Sequence, residues 1–272
     1  MVPTLAGYAC GAATATLRSV TSFVHYDVGD QVATITLDSP GNRNALSRTL
    51  VGELTGSLAA AGQDGGVRAV VLTHTGRVFC SGADLSEAGG GSMSDATAAI
   101  TGLLTAVVEL DKPVIARITG HVRAGGMGIV GACDAAFATE AASFAFTEAR
   151  IGLAPAIISL TTLDLMPPRA ASRYYLTGET FGAEAAAQAG LITRAVAEAE
   201  LDGVVAELLA QIKETSPQGS AQTKRLLTRL RRQRLTDDSA EMAALSARLF
   251  ASDEAQEGIH AFLERRLPTW RQ

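Results

Sequence analysis

RAGGMGIVGACD, residues Arg123 to Asp134, admits two readings that lead to different folds. Gly126, Gly128 and Gly131 fall in the G-x-G-x-x-G spacing, in which glycines let a backbone turn tightly and approach a pyrophosphate at a helix N-terminus. Such a fingerprint also wants an acidic residue about twenty positions on, and Glu148 lies at that distance. The approach to the glycines argues against it. The apolar run PVIARI ends near Ile118, a further turn separates it from Gly125, and two βα units come before it instead of the motif opening the domain.

The second reading takes two glycine-bearing turns together. FCSGADL (79–85) follows the buried-strand run RAVVLT (68–73), and GHVRAGGMG (120–128) follows KPVIARI (112–118). Turns that lead from strand ends into helices expose free backbone N–H groups, and small residues let a carbonyl oxygen come close. One donor from each turn would hold a developing enolate oxygen, although either turn alone reads better as simple chain reversal.

The rest of the chain narrows the classes. Its 272 residues suit one large α/β domain or one domain with a small appendage. The net charge is −5, and the basic stretch KRLLTRLRRQR (224–234) has no interleaved aromatics, so it reads as a solvated helix face and no nucleic-acid partner is expected. Apolar runs are strand-sized, well short of the roughly 20 residues that span a bilayer, so no membrane span is expected. Three cysteines (Cys10, Cys80, Cys133) without a CxxC pair and four scattered histidines indicate neither a disulfide framework nor a metal site, and fit a reducing cytoplasm. Cys80 and Cys133 read as packed thiols. Residues 1–20 are small and Gly/Ala/Thr-rich with no basic start, which reads as a disordered extension and not a signal peptide.

Pattern then gives the elements. FVHYDV and QVATITL flank Gly29-Asp30 as a hairpin. Ser47 caps a helix through about Gln63, with Leu50, Leu54 and Leu58 on one face. Ser94 or Asp95 opens a second helix reaching Leu110, DAAFAT and SFAF are short strand candidates, and from Pro155 the pattern is almost wholly helical. A βα-alternating core (21–200) followed by a helical C-terminal region (201–272) is the expected order.

Five blocks carry a resemblance: RNAL (43–46), FCSGADL (79–85), AGGMGIVGACD (124–134), FTEARIGLAP (146–155) and LTGETFGAEAAAQAGLI (176–192). In this order and spacing the chain from about 23 to 270 resembles the crotonase, or enoyl-CoA hydratase/isomerase, superfamily. The resemblance implies an α/β fold, a spiral of ββα units whose helical C-terminal region supports homotrimers or hexamers made of paired trimers. It implies an acyl-CoA substrate, with coenzyme A part of the substrate and no separate cofactor. Matched position by position, Ala83 and Gly125 supply the two N–H donors to the thioester oxygen. Asn42, Arg43, Asn44 and Ala45 correspond to the loop along the CoA, with Arg43 a phosphate partner, and Asp84 and Leu85 continue the first turn. GIHAFLERRLPTW resembles the family's last helix, from which Phe262 and Arg265 or Arg266 meet CoA.

The hydratase pattern carries two glutamates. Here the second is Glu148, while the first position is Gly128, so the G-x-G-x-x-G is partly a by-product of a lost acid. Glu148 remains as the one matched proton carrier, unless it is only an ion pair with Arg150 or a helix-start charge. Water addition or removal across the 2,3-bond, proton transfer between Cα and Cγ, and acyl-CoA binding with little catalysis all survive. The wording FTEARIGLAPAIIS resembles the bacterial branch that hydrates branched or carboxylated enoyl-CoAs, as in leucine breakdown, which favours hydration. Gly128 is expected to leave room for a bulkier acyl group, and Arg123 and Arg150 are candidates for a distal carboxylate or for solvent. His121 is expected to line the pocket or to pack in its turn.

Overall fold

The computed structural model describes residues 22–87 and 93–271. The expectation for residues 1–20, Cys10 included, lies outside the described residues. Strands β1 (Val24–Gly29) and β2 (Val32–Leu37) pair antiparallel as expected, but with Gly29 opposite Val32. The turn is therefore Asp30-Gln31, one step later than the glycine suggested, and both residues have positive φ, 48° and 62°. Two positive φ angles match the twist of the flanking strands in a two-residue turn. Helix α1 (Arg48–Gln63) starts where the cap predicts, the Ser47 Oγ accepting the Leu50 N–H at 3.3 Å.

The chain then repeats one unit three times. It runs β3 (Ala69–His74), β4 (Val78–Cys80) and α2 (Met93–Glu109), then β5 (Val114–Ile118), β6 (His121–Arg123) and α3 (Gly125–Ala132). The third pass is β7 (Ala135–Thr139), β8 (Ser143–Ala145), a 3-10 turn (Glu148–Ile151) and α4 (Ala156–Thr162). After α5 (Pro168–Thr177) come β9 (Phe181–Gly182), α6 (Ala183–Gln188) and β10 (Arg194–Val196), which the nearly all-helical expectation beyond Pro155 had missed. The chain continues through α7 (Leu201–Glu214), α8 (Pro217–Leu227), α9 (Arg229–Asp237), α10 (Ser239–Phe250) and α11 (Asp253–Leu263).

The first strand of each unit joins a six-stranded sheet of order β1-β2-β3-β5-β7-β10, parallel from β2 onward, and the second joins a four-stranded sheet of order β4-β6-β8-β9. This is the expected ββα spiral. The central strands β3, β5 and β7 are buried on both faces, so they read as continuous apolar runs and not as alternation. Val70, Leu72, Val114 and Ala116 face the main core, whereas Ala69, Val71, Ile115 and Phe137 meet Leu201 and Val205 of α7 on the other side.

Successive units stack at their turns. A Cβ on Gly120 would lie 2.4 Å from the Arg77 carbonyl oxygen and 2.8 Å from the His74 ring, so only glycine lets the β5–β6 turn sit on the β3–β4 turn. His74 bridges the two: its Nδ1 faces the Thr75 carbonyl at 3.1 Å and its Nε2 accepts the Thr119 N–H at 3.1 Å, which fixes the neutral ring.

Candidate active site

The two glycine turns meet. Leu46 accepts from the Asp84 N–H and donates to the Gly82 carbonyl, so the isolated parallel bridge opposite Ala83 turns the Ala83 N–H away from Leu46. Gly82, at φ 94°, presses its Cα against the start of α3: a Cβ there would lie 2.7 Å from the Ala124 Cβ and 3.2 Å from the Gly125 nitrogen. Ala124 itself takes φ 46°, a non-glycine residue in the left-handed region, and this bends the chain from β6 into α3 within one residue. Gly125 is the first residue of the helix, where an N–H has no partner within the helix. The Ala83 nitrogen stands 3.6 Å from where a Cβ of Gly125 would be, so the turns bring these two amides together.

Ala83 and Gly125 both line a cavity of about 640 Å³, and so does Glu148. Its carboxyl belongs to the 3-10 turn after β8, whose left-handed exit at Gly152 (φ 74°) packs against the Glu254 and Ala255 backbone of α11, where a Cβ would come within 2.7 Å. The Glu148 Oε2 is buried and has no hydrogen-bond partner among the described residues. Burial pushes the carboxyl up to about 7, slightly offset by its own backbone N–H. An ion pair with Arg150 is not formed: the Arg150 Nε donates to the Thr177 carbonyl at 2.9 Å. Glu148 is thus a carboxyl that changes charge near neutrality inside a largely apolar pocket, the state in which one group can both take and return a proton.

The loop expected to run along CoA is built around Asn44. Its Oδ1 accepts the Ser39 N–H at 2.7 Å, and its Nδ2 donates to the Thr75 and Val78 carbonyls at 3.2 and 2.8 Å. Asn44 is fully buried and is not part of the cavity wall; its three hydrogen bonds brace the loop and hold it to the β3–β4 turn. Asn42, Arg43, Ala45, Asp84 and Leu85 do line the cavity. Asn42 Nδ2 reaches Asp84 Oδ2 at 3.4 Å, while Asp84 Oδ1 accepts from the Ser86 amide and hydroxyl at 3.0 and 2.6 Å. Arg43, at φ 61°, stands at the mouth.

Phe262 lines the cavity and Arg265 does not. The helix α11 ends at Leu263, and Arg265, at φ 56°, turns the chain back with its N–H on the Phe262 carbonyl. Arg266 is taken up by Glu257, at 2.7 and 2.8 Å, and by Glu264. The Arg123 guanidinium donates to the Ser143 carbonyl and hydroxyl at 2.6 and 2.8 Å, so although the residue lines the cavity, its charged end is held at β8. His121 is absent from the cavity wall and hydrogen-bonds the Ser143 hydroxyl at 2.9 Å.

The glycines of the G-x-G-x-x-G spacing face protein, not ligand. A Cβ on Gly126 would lie 2.8 Å from Cys80, on Gly128 2.7 Å from Ile158 Cγ2, and on Gly131 2.5 Å from Thr162 Cγ2. They let α3 lie against β4 and α4, which removes the dinucleotide reading. They also correct the expected room at Gly128, because Ile158 fills it. Several cavity residues carried no sequence signal beyond ordinary helical periodicity: Thr97 and Ile100 of α2, Ile158 of α4, and Ser246 and Phe250 of α10. Among the described residues no cluster of His, Cys, Asp and Glu has a metal-site arrangement, and no helix is long and apolar enough to cross a membrane.

A two-sheet ββα spiral with a carboxyl-bearing apolar cavity beneath paired backbone amides defines a class of α/β enzyme. Comparison with known proteins gives the family. The family model for Enoyl-CoA hydratase/isomerase matches residues 27–272, and the chain belongs to that family. The crystal structure of an enoyl-CoA hydratase from Mycobacterium avium is 50% identical, with a TM-score of 0.86, covering 92% of this chain and 99% of that one. Carnitinyl-CoA dehydratase of Proteus mirabilis is 30% identical over 256 residues, 91% of this chain and 98% of its own. The crystal structure of carnitinyl-CoA hydratase from Mycobacterium avium is 27% identical with a TM-score of 0.79, over 92% and 98% of the two chains.

Proposed function

We propose that the protein is a hydro-lyase that adds or removes water across the 2,3-bond of an acyl-CoA thioester, with Glu148 as its single acid and base. The observation that carries this is the unpartnered, buried Glu148 Oε2 in the cavity that also receives Ala83 and Gly125. In the hydration direction the ionised Glu148 takes a proton from water as the oxygen joins C3. The resulting enolate is held by the Ala83 and Gly125 N–H groups, and Glu148 returns the proton to C2. Loss of one such N–H donor typically costs about 2.7–4 kcal/mol of transition-state stabilisation. Coenzyme A enters as part of the substrate, along Asn42, Arg43 and Ala45, with Arg43 at its phosphates and Phe262 at the rim; no other cofactor takes part. Names of relatives that include carnitinyl-CoA mark the acyl group to try first.

A second reading has its own support. With Ile158 over Gly128, that side of the cavity offers no second carboxyl to hold a water, which favours proton transfer between C2 and C4, an isomerisation. We take the enzyme to be cytoplasmic and to form a homotrimer or a hexamer of paired trimers, the association being supported by the exposed Leu226, Leu227 and Leu230.

Mass spectrometry of straight, branched and carboxylated enoyl-CoAs in heavy water, with Glu148→Gln beside the native chain, tests these readings. Water addition lost in the variant supports hydration. Deuterium uptake without added water supports isomerisation, and no change with either protein overturns both for the acyl groups tried.

A further inference from the structure

We propose that Ile158 is the residue that sets how wide an acyl chain can be at its reacting carbons. On α3, Gly125 and Gly128 are three residues apart and so lie on one face of the helix, roughly 4.5 Å apart along the axis. A thioester oxygen at the Gly125 N–H therefore leaves its second and third carbons within reach of the Gly128 face.

That face is covered from α4. A Cβ on Gly128 would lie 2.7 Å from Ile158 Cγ2, 3.1 Å from Ile158 Cβ and 3.3 Å from Leu104 Cδ1. Ile158 borders the cavity, whereas Gly128 and Leu104 are not part of its wall, so the Ile158 side chain is the surface that a ligand meets there. Its position is also fixed. The Thr161 hydroxyl, one turn on, donates to the Gly128 carbonyl at 2.9 Å and locks α4 to α3, and β-branching leaves Ile158 one strongly preferred χ1 in a helix. A rigid branched side chain on this wall discriminates against a methyl branch at the third carbon, and shortening it removes the obstruction.

This inference rests on the acyl-CoA reading, so its test uses binding of saturated thioesters, which needs no turnover. Dissociation constants of butyryl-CoA and 3-methylbutyryl-CoA are measured by calorimetry for the native chain, Ile158→Ala and Ile158→Val. One methylene in an apolar pocket changes discrimination by roughly 10–200-fold. Ile158→Ala is expected to shift the ratio of the two constants at least about tenfold toward the branched ligand, with Ile158→Val in the same direction and smaller. If the native chain binds butyryl-CoA and both variants keep its ratio within about twofold, the assignment of Ile158 is overturned and the acyl-CoA reading stands. If the native chain binds neither thioester, the acyl-CoA reading fails and this inference with it. Melting curves for both variants establish that they are folded, and Ile158→Val remains informative if Ile158→Ala is not.

Discussion

At the scale of single residues, Glu148 joins stability to activity through one proton. Its folded-state value of about 7 lies above the ordinary 4.5, so the folded chain keeps this proton where the unfolded chain has lost it. The contribution to stability is full below about 4.5 and disappears as pH rises through about 7. A shift of this size corresponds to about 3 kcal/mol. Glu148→Gln cannot ionise and escapes that loss, so it should melt higher than the native chain at pH 8, the advantage shrinking toward pH 5. Turnover should move the other way. The amide introduced by Glu148→Gln cannot exchange a proton with substrate, and a fall in kcat of roughly 10²–10⁴-fold is expected, while the native kcat/KM climbs with pH through about 7 as the base ionises. Equal melting of the two proteins at pH 8 would mean that Glu148 is not held in a desolvated site.

Elements show where the sequence was legible and where it was not. The Ser47 cap, the buried runs of β3 and β5, and the two glycine turns were legible because each rests on local chemistry: a cap hydrogen bond, an apolar run, a residue without a Cβ. The hairpin turn was displaced because Asp30 and Gln31, not Gly29, take the positive φ angles, and β9 and β10 were hidden because pairing supplied by neighbouring strands overrides short local patterns. The bracing part of Asn44 was hidden for a similar reason: its three partners, Ser39, Thr75 and Val78, come together only in the fold. The glycines of α3 were visible but their purpose was not, since a motif cannot say whether a ligand or another helix comes close. That purpose can be tested on glycines in two helices. A Cβ on Gly131 would lie 2.7 Å from the Thr161 backbone oxygen, which cannot swing aside, so Gly131→Ala should destabilise by about 1–3 kcal/mol. Gly56 in α1 faces open space, and Gly56→Ala should stabilise by about 0.5–1 kcal/mol. Denaturant melts of both variants check the pair, and a neutral Gly131→Ala would mean that α3 and α4 are loosely packed.

At the scale of the molecule, the C-terminal helices close the spiral and expose an apolar face. Closure depends on buried charge. Lys224 of α8 is almost wholly buried, pairs with Asp134 at 2.7 Å and donates to the Val107 and Lys112 carbonyls at 3.0 Å each, tying α8 to the end of α2 and the start of β5. Lys224→Ala leaves Asp134 with the Val114 N–H but no counter-charge and takes the lysine from both carbonyls, and a loss of about 3 kcal/mol in denaturant unfolding is expected. The sequence read this basic stretch as a solvated face, which holds for Arg225 with its exposed Asp111 partner but not for Lys224, because helical period alone does not say which lysine meets the core. On the outside, Leu226, Leu227 and Leu230 are 75%, 77% and 59% exposed. Single exposed leucines need no explanation, but three within five residues, on adjoining helices, form a face that association would cover. In the proposed homotrimer this face lies between copies, so Leu227→Glu would bury a charge there at a cost of several kcal/mol without touching the cavity. Light scattering should then give three copies of the 28.1 kDa chain, or six, for the native protein and a single copy for the variant, with acyl-CoA affinity retained. A native protein of single-chain mass would overturn the trimer, and a variant that kept the native mass would place the contact on another face.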